Sequence, residues 1–219
     1  DSTFDALVQL RDTPSGDCDV VSFTLWGQPF MAISAGPLFR FNTSISFRVN
    51  FDPRRSPGAR AELDRLWAAL AEGGEILVPL GIHARSSQYG WVRDRFGLSW
   101  QLFLSSEAVQ ARSPISPALR FAGGQCGQAE AAGAFYRSVF PESQAGELVR
   151  FPDGGTPDRA GRVRYSDFRL ERTWFVASDD DRADAPRFNE AISFMVICRD
   201  QAELDRYWVQ LSHVPESEQ

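Results

Sequence analysis

Phe41-Asn42-Thr43-Ser44-Ile45-Ser46-Phe47 returns later in the chain as Phe188-Asn189-Glu190-Ala191-Ile192-Ser193-Phe194, with five of the seven positions unchanged. Each copy is followed by the same phrase, Ala61-Glu62-Leu63-Asp64-Arg65-Leu66-Trp67 in the first case and Ala202-Glu203-Leu204-Asp205-Arg206-Tyr207-Trp208 in the second. The segments lie 147 residues apart and the phrases 141 apart. Two phrases in one order at nearly one spacing mark an internal duplication. The chain is read as two related units.

Outward from the first copy, residues 45–49 alternate as a strand. Leu63, Leu66, Trp67 and Leu70 then recur at helical spacing, one apolar stripe suited to a sheet. Ser56-Pro57 is expected to start that helix and Gly73-Gly74 to stop it. Upstream, residues 7–10 read as a short strand, and 20–25 with 30–34 as a hairpin around Trp26-Gly27-Gln28-Pro29. Downstream, strands at 75–80 and 89–92 precede an Asp94-Arg95-Phe96-Gly97 turn into a strand at 99–103. Polar residues 105–117, with Pro114 and Pro117, read as a linker, so the units are expected at 1–112 and 113–219.

The second unit reads as a strand at 118–121, a helix near 128–140, and strands at 147–151, 162–170 and 173–177. The run Asp179-Asp180-Asp181 is expected in a solvated loop. Asp200, with Glu203 three residues on, predicts the cap of the last helix. Superposed, the copies have complementary gaps: the first lacks the strand and helix of 118–140, the second the closing hairpin of 89–103. Because lost strands expose sheet edges, both ends of the natural chain are expected to be cut or unobserved.

The composition excludes several chemistries. A 43% hydrophobic and 24% charged makeup over 219 residues supports a core. The apolar runs are far shorter than the ~20 residues that cross a bilayer, and a net charge of −6 offers nucleic acid no attraction. All 23 basic residues are arginine, which removes Schiff-base and P-loop lysines. Cys18, Cys126 and Cys198 share no zinc or redox spacing and are expected as thiols of a cytoplasmic protein. His83 and His213 stand alone, with nothing nearby to complete a triad or a metal set.

Together the phrases Gly27-Gln28-Pro29-Phe30-Met31-Ala32, 41–47, 61–67, 90–101, 134–143, 188–194 and 202–208 resemble the PhnB-like family of the glyoxalase, bleomycin resistance and vicinal oxygen chelate superfamily. The resemblance implies an α+β fold of tandem glyoxalase-like units, each of paired βαβββ modules forming a curled, cup-shaped mixed sheet. It also implies either a homodimer or an intrachain pseudo-dimer. Some members carry a 3-demethylubiquinone-9 3-methyltransferase label, but Gly123-Gly124-Gln125-Cys126-Gly127 lacks the GxGxxG spacing of a nucleotide turn. The positions where the superfamily's enzymes place metal ligands hold Leu119 or Phe121, Ala32 or Ala177, Ser44 or Ala191, and Gln101. One amide oxygen does not hold a divalent ion, so a metal is disfavoured and no cofactor is expected.

The pocket candidates are Trp91, Trp100 and Gln101, two indoles and an amide able to take a flat apolar ligand. Asn42 and Asn189 are read as polar anchors in the cup or as turn formers bonding their own backbone. Ser46 and Ser193 put a small polar face on the repeated strand. The function expected is that of a PhnB-like protein of unassigned reaction binding a small apolar or flat molecule. Non-catalytic sequestration competes with it, and a third reading is a metal-dependent lyase or dioxygenase with a ligand in the unobserved ends. The partner is a small molecule, with no nucleic acid and no membrane.

Overall fold

The computed structural model describes residues 2–13, 16–34, 36–83, 86–106, 112–152 and 159–212. The chain divides into two compact units, Asp1–Ala118 with Phe188–Ala191, and Leu119–Arg187 with Ile192–Gln219.

The first unit opens with an antiparallel sheet of β1 (Ser2–Thr13), β2 (Gly16–Leu25) and β3 (Gln28–Ile33), in that spatial order. Trp26 and Gly27 both take positive φ, the tight turn whose twist matches a two-residue hairpin. That turn sets Phe23 opposite Phe30, and their rings stack at 5.5 Å. β1 and β2 run well past the short strands expected from the sequence.

Next comes β4 (Ile45–Phe51), the repeated segment, followed by α1 (Ala59–Ala71). β5 (Glu75–His83), β6 (Ser86–Arg93) and β7 (Ser99–Leu104) complete a sheet ordered β5-β6-β7-β4, with β4 parallel to β7. Alternation on the pleat separates the two faces. Phe47, Val49 and Phe51 lie level with Trp100, Leu102 and Leu104. α1 seals this side: Leu63 is fully buried among Val49, Phe51, Leu102 and Leu104, with Leu66, Trp67 and Leu70 packed around them. Gly90 on β6 leaves room for the Trp67 ring, since a Cβ there would lie 2.5 Å from it. Ser56 does not cap α1 as expected; its hydroxyl bonds the Glu62 carboxylate at 2.7 Å instead.

The second unit repeats the pattern with β8 (Ile115–Ala122), α2 (Ala129–Val139), β9 (Ser143–Arg150), β10 (Val163–Leu170) and β11 (Thr173–Asp180), ordered β8-β11-β10-β9. Phe168 sits opposite Phe175 and the rings stack at 5.7 Å, as Phe23 and Phe30 do. Gly133 brings α2 down onto the Phe168 ring. The linker is shorter than the sequence implies, because β8 starts at Ile115 and runs through Pro117.

The acidic run is not a solvated loop. Asp179 and Asp180 are buried at the end of β11. One Asp179 oxygen accepts the backbone N–H of Gly127 at 2.8 Å and of Ala129 at 3.2 Å, and the other accepts Val163 N–H at 2.8 Å. Asp179 is therefore the cap of α2, reached across the sheet rather than along the chain. The last helix, α3 (Gln201–Leu211), is capped as expected by Asp200, which accepts from Glu203 N–H at 2.9 Å. The repeated strand does not form in its second copy, where residues 192–197 are without strand structure.

Candidate functional site

The face of the β5-β6-β7-β4 sheet away from α1 gathers the side chains that alternate with that helix's core. Register places Arg48 of β4, Gln101 of β7 and Trp91 of β6 in one row across three strands. Beside it run Asn50, Phe103 and Tyr89. Gln101 is fixed from both ends: its amide donates to Ser46 Oγ at 2.8 Å, and its carbonyl accepts from Tyr89 OH at 3.2 Å. The Trp91 indole donates to Ser99 Oγ at 2.6 Å. The Arg48 guanidinium lies 3.7 Å over the Phe103 ring, and the residue is only 8% exposed. Burying a cation costs several kcal/mol unless neighbours compensate, so an aromatic face beneath it holds both its place and its charge.

Three sequence candidates therefore meet on one surface: Trp91, Gln101 and Ser46. Trp100 does not join them. It points to the α1 side, its indole donating to Asp94 Oδ2 at 2.9 Å, so the two indoles cannot flank one ligand. Asn42 takes the turn-forming role, its side-chain oxygen accepting Ser44 N–H at 2.8 Å. Asn189 does the same with Ala191 N–H at 3.2 Å and donates to the Arg40 carbonyl at 2.9 Å. Ser193 is exposed on a segment without ladder partners. His83 packs edge-on against Tyr89, and His213 lies outside the described residues.

Sequence reading missed Arg48 and Tyr89, although period-two alternation puts Arg48 on the same face as Ser46. On the second unit's sheet it missed Asp167, 4% exposed, which accepts Glu147 N–H at 2.7 Å and Tyr165 OH at 2.9 Å. Asp180, also missed, bonds Arg120 at 3.0 Å and Arg182 at 2.9 Å. Burial pushes the Asp180 carboxyl up, but the two guanidiniums outweigh it and hold the group below its ordinary range.

The residues at the superfamily's ligand positions do not fit a divalent ion. Leucine, phenylalanine, alanine and serine supply no anionic or imidazole donor, and the Gln101 oxygen already accepts from Tyr89. Among the described residues no group of three or more His, Cys, Asp or Glu converges. The glycine-rich turn between β8 and α2 does not fit an anion either. The helix-terminal amides that would bind a phosphate are taken by the Asp179 carboxylate.

The model of the family described as 3-demethylubiquinone-9 3-methyltransferase matches residues 3–103 and again 113–219. Among solved structures, the chain is similar to a PhnB protein from Bacillus cereus described by the same activity, at 31% identity over 48% of this chain and 80% of that one, TM-score 0.40. A protein from Pseudomonas aeruginosa is 28% identical over 47% of this chain and 78% of its own, TM-score 0.39. A point mutant of glyoxalase I from Zea mays is 12% identical over 82% of this chain and 60% of that one, with a TM-score of 0.50, a likeness of fold. No curated protein matches the chain. No helix among the described residues is long and apolar enough to cross a membrane.

Proposed function

The chain belongs to the PhnB-like family described as 3-demethylubiquinone-9 3-methyltransferase, within the glyoxalase superfamily, and from that footing we propose that it binds a small flat molecule against the row of Trp91, Gln101 and Arg48. The row itself carries the reading. Trp91, itself only 7% exposed, supplies an apolar indole wall, while Gln101 and Arg48 supply polar groups that orient an oxygen-bearing edge. The ligand is thus flat and largely apolar, with a carbonyl or carboxylate at one end. No metal ion and no organic cofactor take part in this reading. Methyl transfer is not part of it, because the turn before α2 presents a carboxylate where a cofactor's anionic or polar groups would dock.

Binding without turnover is the second reading, and one observation favours it. The polar groups of this face are bonded to one another, Gln101 to Ser46 and Tyr89, and Trp91 to Ser99. None is paired as nucleophile and base.

The test is titration with 2-naphthoic acid, followed by tryptophan fluorescence. Arg48→Met is expected to weaken binding about tenfold, the worth of one hydrogen bond to a charged group, with Arg48→Lys between it and the wild type. Trp91→Leu should weaken it comparably, while Trp100→Phe on the opposite face should leave it unchanged. Absence of binding, or equal affinity in the Arg48→Met and Trp91→Leu variants, overturns the assignment.

A further inference from the structure

β7 runs through the middle of the candidate face, with β4 on one side and β6 on the other, and its residues serve as a scale along it. Ser99, Gln101 and Phe103 lie on one side of the pleat, each about 6.6 Å from the next, so the first and last stand roughly 13 Å apart. Arg48 and Trp91 both have their backbones level with Gln101, but their side chains part. The Trp91 indole N–H donates to Ser99 Oγ at 2.6 Å, which draws the ring toward the Ser99 end. The Arg48 guanidinium lies 3.7 Å from the centre of the Phe103 ring, which draws the charge toward the other end. Gln101 lies between them and follows the same axis. Its nitrogen donates to Ser46 Oγ, one residue before the Phe47–Trp100 pair and so at the Ser99 end. Its oxygen accepts from Tyr89, whose backbone is level with Phe103.

The three residues thus share a level in their backbones and not in their functional groups. Indole and guanidinium diverge, and the amide is held along the line that joins them. The two ends also differ in charge. Neutral hydroxyls of Ser46 and Ser99 mark the indole end, and a cation marks the Phe103 end, where a hydrogen bond to an anionic group is charge-assisted. A single ring bearing a carboxylate reaches one end or the other, whereas a ligand that meets both is elongated and straight.

Resting on the reading that this face takes a flat, oxygen-bearing molecule, we propose that its ligand is a linear aryl acid of two rings or their length. The carboxylate sits beside Arg48 at the Phe103 end, the distal ring lies on Trp91 at the Ser99 end, and the Gln101 amide crosses the middle. Charge sets the direction in which the ligand lies, and the separation of guanidinium from indole sets its length. Specificity here is the difference in affinity between a ligand that satisfies both ends and one that leaves an end unmet.

Calorimetric titration of the full chain with biphenyl-4-carboxylic acid and its bent isomer, biphenyl-2-carboxylic acid, tests this. The isomers have the same atoms and nearly the same apolar area, so a difference between them reports shape and not hydrophobicity. The linear isomer is expected to bind roughly tenfold tighter than the bent one. Trp91→Phe, which keeps an aromatic ring but loses the bond to Ser99, should shrink that ratio, and Trp91→Leu should bring it close to unity. Arg48→Met should weaken the linear acid about tenfold and leave the neutral biphenyl-4-carboxamide unaffected. Equal affinities of the two isomers for the wild type overturn the inference, and that comparison needs no variant. So does an isomer ratio that Trp91→Leu leaves intact, or an equal loss for acid and amide in Arg48→Met. Binding of 2-naphthoic acid with no preference between the isomers would sink this inference alone, while no binding of any of the three acids would sink the reading of the face with it.

Discussion

Asp179 holds together three backbone donors: Gly127 and Ala129 at the start of α2, and Val163 at the start of β10. The sequence hides this, because an acidic triplet reads as solvated surface and the cap lies some fifty residues from the helix it serves. Asp179→Ala leaves those donors unmatched in a buried place and is expected to cost roughly 2–4 kcal/mol in a urea melt. Asp179→Asn keeps an acceptor without the charge and should cost about half as much. A loss below about 0.5 kcal/mol for the alanine variant would show that water serves the helix end equally well. Arg48 escaped notice for a related reason. Its neighbour Ser46 is legible for the face it lines, but a charged residue on the same face is conventionally assigned to solvent, and the Phe103 ring lies beneath the buried guanidinium.

At the scale of elements, the contact that fixes α1 on its sheet is one of shape. A Cβ on Gly90 would lie 2.5 and 2.9 Å from Trp67 ring atoms and 3.1 Å from the Leu80 backbone. Gly90→Ala is therefore expected to destabilise by about 1–3 kcal/mol through overpacking. Trp67→Leu removes the ring, so the double variant should lose less than the sum of the two single losses in denaturant melts. Strict additivity would refute the contact. The stripe of Leu63, Leu66, Trp67 and Leu70 was legible because helical spacing is a local signal, and the close approach at Gly90 was not, because it depends on a strand more than twenty residues away. The same distinction explains 192–196. Its alternation is that of β4, but a strand exists only in a ladder, and β4 has β7 beside it while this segment joins no ladder among the described residues. Asn42 and Asn189 were legible as turn formers because the bond to the backbone two residues on is also local.

For the whole molecule, twenty-three arginines and no lysine meet twenty-nine carboxylates, and several pairings are tight enough to set the acid limit of stability. The Arg54 guanidinium holds the Asp52 carboxyl below its usual range, against the opposing push of burial. Arg182 and Arg120 do the same for Asp180, and hydrogen bonds from Arg199 bring Glu203 down to about 2. In each case the folded value lies below the ordinary carboxylate range of about 4, so the unfolded chain takes up protons first as pH falls. The stabilisation is complete above that range and drains away as pH drops through the folded values. Stability should accordingly stay level on these groups from neutrality to about pH 5 and decline between about pH 4 and 2. Arg199 lies in water, so its pair with Glu203 is screened and contributes little to the decline; Asp52 and Asp180, both buried residues, dominate it. Asp180→Asn should lower the urea midpoint at neutral pH and flatten its fall in acid, because the group that would have titrated is gone. A midpoint that rises from pH 5 to pH 3, or an Asp180→Asn variant as steep in acid as the wild type, would place the acid sensitivity elsewhere in the chain.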